Sequence, residues 1–229
     1  GCRGSVALNY APSGGENCET SCAYHPETTS PHAVPDGPRC YAVLTEKRYT
    51  TTLAPKLSRH AEAGADSVTA QADRELSAMG YRVPWFRVSS FGSVPATPPA
   101  GFRELLAKLV KAKTPVHLPI ESAQKANRYR KHLSGLLGLA VRESVSNIRR
   151  WRTAPHACSI VAGTMADTPR ERIEIAKALA KDRTARTGRR CVICPAVAAK
   201  HLRTGSKLAK CGTCTACADP VVDIVYPAH

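Results

Sequence analysis

The residues of this 229-residue chain that are best suited to chemistry are its ten cysteines. Five of them lie in one stretch near the C-terminus, as Cys191, Cys194, Cys211, Cys214 and Cys217. Cysteines separated by two residues are poorly placed to form a disulfide with each other, but their thiolates can bind a single metal ion. The spacing therefore predicts a metal centre in this stretch.

Two kinds of metal centre fit the C-terminal spacing. The first four cysteines of the stretch have the arrangement of a zinc ribbon, in which two pairs of thiolates surround one ion. The second pair is extended, however, to Cys211, Cys214 and Cys217, and Cys194 is followed by proline. Three closely spaced thiolates with a distant Cys-Pro are typical of a [4Fe–4S] cluster. We favour a cluster bound by these four residues, with Cys191 as a spare or alternative ligand and zinc as the alternative metal.

A second group of cysteines lies near the N-terminus, in a segment rich in Gly, Pro, Ser and Thr. Cys18, Cys22 and Cys40 can bind three irons of a second [4Fe–4S] cluster and leave the fourth iron open to a small ligand. The alternative is a structural site whose fourth ligand is Cys2 or a histidine of the same segment. In either case, we expect residues 1–40 to be a loop that is ordered by metal.

The segment between the two cysteine groups has alternating strand and helix patterns. Strands are predicted at 82–90, 115–120, 137–143 and 158–162, and helices at 66–79, 101–112, 123–133 and 168–181. The last helix begins with the capping box Thr168-Pro169-Arg170-Glu171. Such alternation indicates an α/β fold, for which we predict a partial (β/α) barrel of about six parallel units over residues 1–182. A cysteine-rich C-terminal metal module is predicted over 183–229.

The excess positive charge is confined to the second part of the chain. Residues 1–100 carry nine basic and nine acidic side chains, whereas residues 101–229 carry the whole net charge of +15. A concentrated positive field attracts polyanions, so nucleic acid is the predicted partner. Tyr129 and Trp151 interrupt basic runs and are predicted to stack on bases.

The predicted compartment is the cytoplasm. No apolar run is long enough to span a bilayer, so we expect no membrane role. The beginning of the chain lacks the basic and then apolar layout of a secretory signal, and a reducing compartment keeps thiols available for metal. Cys158, in a predicted core strand, is expected to be a buried small hydrophobe.

The sequence resembles the phage family called gene product eighty-eight and, more distantly, the radical S-adenosylmethionine (SAM) superfamily. The resemblance covers about Cys18 to Cys217. It rests on the early cysteines that end at Cys40-Tyr41-Ala42, the strand that leads to Ser90-Phe91-Gly92-Ser93, the β/α alternation, and the late Cys194-Pro195 with the three cysteines after it.

This resemblance implies that Cys18, Cys22 and Cys40 bind a reactive [4Fe–4S] cluster, while the C-terminal cysteines bind an auxiliary one. It implies SAM as a cofactor, bound at Ser90, Gly92 and Ser93, where the superfamily has a Gly-Gly-Glu-like motif. The implied activity is that of a radical-SAM-like enzyme acting on nucleic acid or nucleotides.

Candidate active-site groups of such an enzyme lie near the C-terminal ends of the predicted strands, where β/α barrels place their catalytic residues. These candidates are Arg87, Ser90, Ser93, Glu121 and Glu143. Two other functions fit the same sequence. One is a non-catalytic nucleic-acid-binding protein stabilised by an iron–sulfur cluster or zinc, and the other is an electron carrier or redox sensor.

Overall fold

The computed structural model describes residues 5–10, 53–89, 94–145, 147–162, 166–195, 198 and 214–227. The described strands are β1 (Ser5–Leu8), β2 (Trp85–Val88), β3 (Val116–Ile120), β4 (Ala140–Val145), β5 (Cys158–Ala162), β6 (Arg190–Ile193) and β7 (Val222–Pro227). The described α-helices are α1 (Leu53–Ala63), α2 (Ala65–Ala78), α3 (Phe102–Lys111), α4 (Ala123–His132), α5 (Ile148–Thr153) and α6 (Pro169–Thr187). A short 3-10 helical turn, Ala216–Ala218, precedes β7.

The seven described strands form one all-parallel sheet in the order β1-β2-β3-β4-β5-β7-β6. The predicted α/β class and the parallel pairing are confirmed. The sheet is open, with β1 and β6 as its two edges. Residues 5–8 were expected to be loop but form β1, because they pair with β2 from Ser5–Trp85 to Leu8–Val88.

The C-terminal part of the chain contributes two strands to this sheet. The sequence analysis predicted a boundary after residue 182 and a separate module over 183–229. In the structure, β7 pairs with β5 and β6 pairs with β7. The described residues beyond 182 therefore extend the same sheet, and the chain just after the predicted boundary forms the end of α6 and the start of β6.

The described helices pack on one face of the sheet, which we call the helix face. Strands β1 to β5 are adjacent in chain order, and right-handed β-α-β connections then place successive helices on the same side. One hydrophobic cluster joins Leu105 and Leu109 of α3 to Phe86 and Leu118 of the sheet. A second cluster joins α5 and α6 to β4, β5 and β7. The core of the protein lies in this layer.

Helix α6 has clear start and stop signals. The Thr168 hydroxyl accepts a hydrogen bond from the Glu171 backbone N–H at 3.2 Å, as the predicted capping box requires. Pro169 is the first helical residue. The helix ends at Gly188, whose φ of +68° is a left-handed conformation that glycine adopts without strain. The helix is longer than the predicted 168–181, because Arg183 lies in the core.

Arg183 anchors α6 to the sheet through a buried ion pair. Its Nε lies 2.9 Å from Asp223 Oδ2, and both side chains are 0% exposed. Its two terminal nitrogens donate to the carbonyl oxygens of Trp151 and Ala154, each at 2.7 Å. Asp223 Oδ1 also accepts the backbone N–H of Cys158 at 2.9 Å. Every charged group in this ion pair has polar partners, which is the condition for burying charge at acceptable cost.

Candidate functional site

The sheet face opposite the helices is lined with polar side chains. Side chains alternate between the two faces of a strand, and residues paired across parallel strands share a face. Arg87 pairs with His117, Pro119 with Arg142, and Ser144 with Ser159. We call this surface the polar face and define it by six residues: Arg87, His117, Arg142, Ser144, Ser159 and Tyr226.

Two predicted metal ligands, Cys194 and Cys217, lie together on the polar face. Cys194 follows β6, Cys217 belongs to the 3-10 turn, and both are in the cluster that contains Val222, Ile224 and Tyr226. The Sγ atom of Cys217 lies 3.2 Å from the hydroxyl of Tyr226. Burial raises the pKa of the Cys217 thiol, and the nearby Cys214 thiol also raises it. The structure thus brings residues from β6, the turn and β7 into one thiol-containing cluster.

Cys191 lies on the other side of the sheet. It packs on the helix face with Ile175 and Ala180 of α6, and burial raises the pKa of its thiol to about 12. Cys191 and Cys194 are three residues apart on an extended chain, which places their side chains on opposite faces. The structure therefore separates Cys191 from Cys194 and Cys217. Cys158 also lies on the helix face and is fully buried, as predicted.

Several predicted ligands and cofactor residues cannot be placed relative to this cluster. They lie outside the described residues: Cys18, Cys22, Cys40, Cys211, Ser90, Gly92 and Ser93. Among the residues that are described, no three His, Cys, Asp or Glu side chains converge as a group that could bind a metal ion.

Arg142 ties the 3-10 turn to the sheet. Its guanidinium is fully buried and donates to the carbonyl oxygens of Cys158 and Val222, at 3.1 and 2.7 Å. It also donates to the carbonyl oxygens of Cys217 and Asp219, at 3.3 and 2.9 Å. Because carbonyls of the sheet and of the turn converge on one cation, Arg142 determines where Cys217 lies above the polar face. This role was not predicted, although a charged residue inside the predicted strand 137–143 was a signal of it.

Next to Arg142, the polar face contains buried polar atoms without partners. Within the described chain, Arg87 Nε, Ser89 Oγ and His117 Nε2 are buried and make no hydrogen bond. The pKa of His117 is held well below its usual range, first by burial and then by the positive charges of Arg87 and Arg142. Arg87 is thus a predicted site residue that the structure places on the polar face, whereas Ser89 and His117 were not predicted.

Two other predicted active-site candidates have structural partners. Glu143 is buried on the helix face, where its two carboxylate oxygens accept hydrogen bonds from Arg150 at 2.5 and 2.7 Å. Glu121 accepts from Lys125 Nζ at 2.7 Å, one turn along α4, and the same amine donates to the Val94 carbonyl. Glu143 therefore stabilises α5 against the sheet, and Glu121 is paired with α4.

The prediction that Tyr129 and Trp151 stack on bases is wrong, because both side chains are 0% exposed. The Tyr129 hydroxyl donates to the Pro95 carbonyl at 3.0 Å, and the Trp151 indole donates to the Leu179 carbonyl at 3.2 Å. Both rings are core residues that bases cannot reach. Some of the neighbouring basic side chains, including Arg128, are exposed.

None of the described helices is long and apolar enough to cross a membrane. No protein-family model, curated protein or solved structure matches this chain. The candidate site is therefore defined by its geometry alone: a polar face with two thiols, one phenol, one buried arginine (Arg142) and one half-buried arginine (Arg87) beside a neutral imidazole.

Proposed function

We propose that this protein is an iron–sulfur enzyme of the radical-SAM type, with its reaction taking place on the polar face of the sheet. The observation that supports this most directly is that Cys194 and Cys217 pack in one cluster on that face. A sheet whose first five strands are adjacent in chain order, with the described helices on one side, is also what a partial (β/α) barrel would require. In such a fold ligands bind at the C-terminal ends of the strands, and Cys194 directly follows the C-terminal end of β6.

The residues present fit a thiolate-bound metal centre at the C-terminal cysteines. Metal ligation requires thiolates, and burial alone keeps the Cys217 thiol protonated. Arg142 and Arg87 act in the opposite sense, since their positive charges lower the pKa of that thiol. The site thus combines buried cysteine with nearby cations that stabilise the negative charge of a cluster and its thiolates. Cys194, Cys217 and, from the same stretch, Cys211 and Cys214 would bind the cluster.

The position of Cys191 favours an iron–sulfur cluster over a zinc ribbon. A ribbon uses both cysteines of each pair on one ion, so Cys191 and Cys194 would have to point to the same place. They lie on opposite faces of the sheet. A cluster bound by Cys194 and the three later cysteines does not need Cys191 as a ligand.

When bound, a [4Fe–4S] cluster with SAM supplies one-electron chemistry that activates an unreactive carbon. The contribution of this chain is positional. Arg142 holds the turn that carries Cys217, and Tyr226 contacts the thiol from the sheet. Beside the thiol-containing side-chain cluster, Arg87 and His117 provide polar groups for a substrate. Trp85 provides an apolar side, and its ring centroid lies 6.4 Å from that of His117.

The test is metal and sulfide analysis, with an absorption spectrum, of protein purified without oxygen. Two [4Fe–4S] clusters would give about eight irons and eight sulfides per chain. Cys194→Ala should lose about half of this iron, while the matched variant Cys191→Ala should keep it. Zinc without iron or sulfide in the wild type would refute the proposal. Equal iron loss in both variants would refute the assignment of Cys194.

Binding of SAM is tested next, by calorimetric titration of the iron-loaded protein. Saturable binding that depends on iron would support the radical-SAM type of activity. Iron and sulfide at the expected content, without SAM binding, would instead leave an electron carrier or redox sensor as the function.

A second candidate function is metal-stabilised binding of nucleic acid without catalysis. The observation that favours it is the exposure of Arg128, Lys131 and Arg149 on α4 and α5, in a chain of net charge +15. Since Tyr129 and Trp151 are buried, such binding would be made through phosphate contacts and would weaken steeply with salt. Replacing Arg128 and Lys131 together by Gln should lower both the affinity and its salt dependence, measured by fluorescence anisotropy.

A further inference from the structure

We infer that Arg87, Ser89 and His117 form a binding site for the anionic group, a carboxylate or a phosphate, of a small molecule. These residues lie at the β2–β3 side of the polar face, and the inference concerns a ligand other than the metal. It goes beyond the proposed function and stands whether or not a cluster is present.

The register of the sheet brings the three residues together. Arg87 and His117 are paired on adjacent parallel strands, so their side chains leave the same face of the sheet about 5 Å apart at the backbone. Ser89 comes two residues after Arg87, at the end of β2. The positive charge of Arg87 is also one of the causes that lower the pKa of the His117 imidazole, after burial.

The unpaired atoms of these residues indicate a ligand. His117 and Ser89 are only 5% and 6% exposed, yet His117 Nε2 and Ser89 Oγ have no hydrogen-bond partner in the described chain, and neither has Arg87 Nε. Buried polar atoms are almost always hydrogen-bonded, so three unpaired atoms on or next to the paired strands β2 and β3 need an explanation. All three can donate a hydrogen bond, His117 through its Nε2–H tautomer. A single group with several acceptor oxygens would satisfy them together.

The charges around these atoms favour an anion. Arg87 on β2 and Arg142 on β4 both act on His117 from the same face, and this is one reason why the imidazole is neutral. Arg142 is satisfied by carbonyl oxygens. No described ion pair includes Arg87. A half-buried guanidinium that has no carboxylate partner among the described residues is suited to bind a carboxylate or a phosphate.

The backbone at Ser89 adds an independent observation. Its φ is +51°, a conformation that residues other than glycine rarely adopt. The Ser89 N–H is held by the Leu8 carbonyl of the edge strand at 2.7 Å. Left-handed backbone in residues other than glycine is concentrated at functional sites, ligand sites among them.

The occupant is a small molecule because the site is buried. Two of the three donors, His117 Nε2 and Ser89 Oγ, belong to side chains that are almost fully buried, so only a small anionic group can reach them. The exposed basic side chains of α4 and α5 can meet a polymer at the surface, but His117 and Ser89 cannot.

The test is a titration of the full chain, selectively labelled with ¹⁵N-histidine, with inorganic phosphate and separately with acetate at constant ionic strength. We expect one of them to shift the His117 imidazole ¹⁵N signals saturably, with a dissociation constant for phosphate of about 1 mM. Saturation by phosphate alone would identify a phosphorylated ligand, and saturation by acetate alone a carboxylic acid. If neither anion shifts the His117 signals saturably, the inference is overturned.

Arg87→Gln should weaken the binding at least tenfold. The matched variant Arg74→Gln, which removes an exposed positive charge from α2, should leave the binding unchanged. Equal weakening in both variants would show that only the net charge of the protein acts, and would overturn the inference.

A second measurement does not depend on finding the right anion. Because Arg87 has no described partner, Arg87→Met should raise the midpoint of thermal unfolding in anion-free buffer by a few degrees, whereas loss of a structural arginine lowers it. A lowered midpoint would overturn the inference. Metal content is measured on the same samples, so failure of anion binding in iron-containing protein would remove this site while leaving the proposed function intact.

Discussion

Arginines on opposite faces of the same sheet, two of them fully buried and Arg87 half-buried, have very different surroundings. On the helix face, Arg183 has an aspartate, two carbonyl oxygens and the ring of Trp151, whose centroid lies 5.3 Å from the guanidinium carbon. On the polar face, Arg142 has carbonyl oxygens, and Arg87 has an Nε without a partner. A buried charge whose partners are all supplied by the protein has a structural role. One whose partners are incomplete indicates a place for a ligand.

The largest expected effect is the loss of the helix-face ion pair. Asp223→Ala leaves Arg183 buried without a counter-charge and removes the acceptor of the Cys158 N–H. We expect the free energy of unfolding to fall by about 3–5 kcal/mol, measured by urea denaturation. Asp182→Ala, which breaks exposed pairs with Arg152 and Arg186, is the control and should have little effect. Similar losses in the two variants would contradict the distinction between buried and exposed pairs.

Arg142→Met tests the carbonyl-bound arginine of the polar face. The change leaves the carbonyl oxygens of the turn and of β7 without their donor, so unfolding should become easier by about 2–3 kcal/mol. Because the turn carries Cys217, iron content should fall with it. If the variant loses stability but keeps its iron, then Arg142 stabilises the sheet and does not position the metal ligand.

The neutral His117 predicts a specific pH dependence. Its pKa in the folded protein is well below that of the unfolded chain, which is about 6.5. Below that pH the unfolded state takes up a proton that the folded state does not, so stability is lost as the pH falls towards the folded pKa. The loss is at most about 1.4 kcal/mol per pH unit. His117→Gln should flatten this part of the stability profile, and an unchanged profile would count against a buried neutral imidazole.

The smallest effect is expected at an exposed pair on the outside of α6. Lys177 Nζ lies 2.7 Å from Glu174 Oε1, and both side chains are more than half exposed. Lys177→Gln should change the free energy of unfolding by less than about 0.5 kcal/mol. A loss as large as that of Asp223→Ala would mean that burial does not explain the strength of the helix-face pair.

Local signals in the sequence were enough for the elements that form the helix face. The alternation of strands and helices predicted β3, β5, α3 and α4 with bounds close to those observed. The Thr168 capping box predicted the start of α6. These elements follow from short-range rules, since an apolar stripe and a cap depend only on residues within a few positions of each other.

The candidate site was predicted less well. Arg87 lies on the polar face, whereas Glu143, which has the same kind of position in the sequence, is paired with Arg150 on the helix face. Tyr129 and Trp151 interrupt basic runs of the sequence and were expected to stack on bases, but both are fully buried. Sequence spacing does not tell which face of a strand or helix a polar residue occupies once its partners come from distant segments.

The sequence by itself determined the α/β class, the parallel pairing and most helix and strand positions, because periodicity and capping act over a few residues. Only the tertiary structure decided that the C-terminal strands β6 and β7 join the same sheet, that Cys194 and Cys217 pack in one cluster while Cys191 packs on the other face, and that Arg183 is paired whereas Arg87 Nε makes no hydrogen bond to the described residues. Those outcomes depend on the register of strands that are up to 80 positions apart, as in the bond from Arg142 to Val222. A shift of one residue in that register would move each of these side chains to the other face of the sheet.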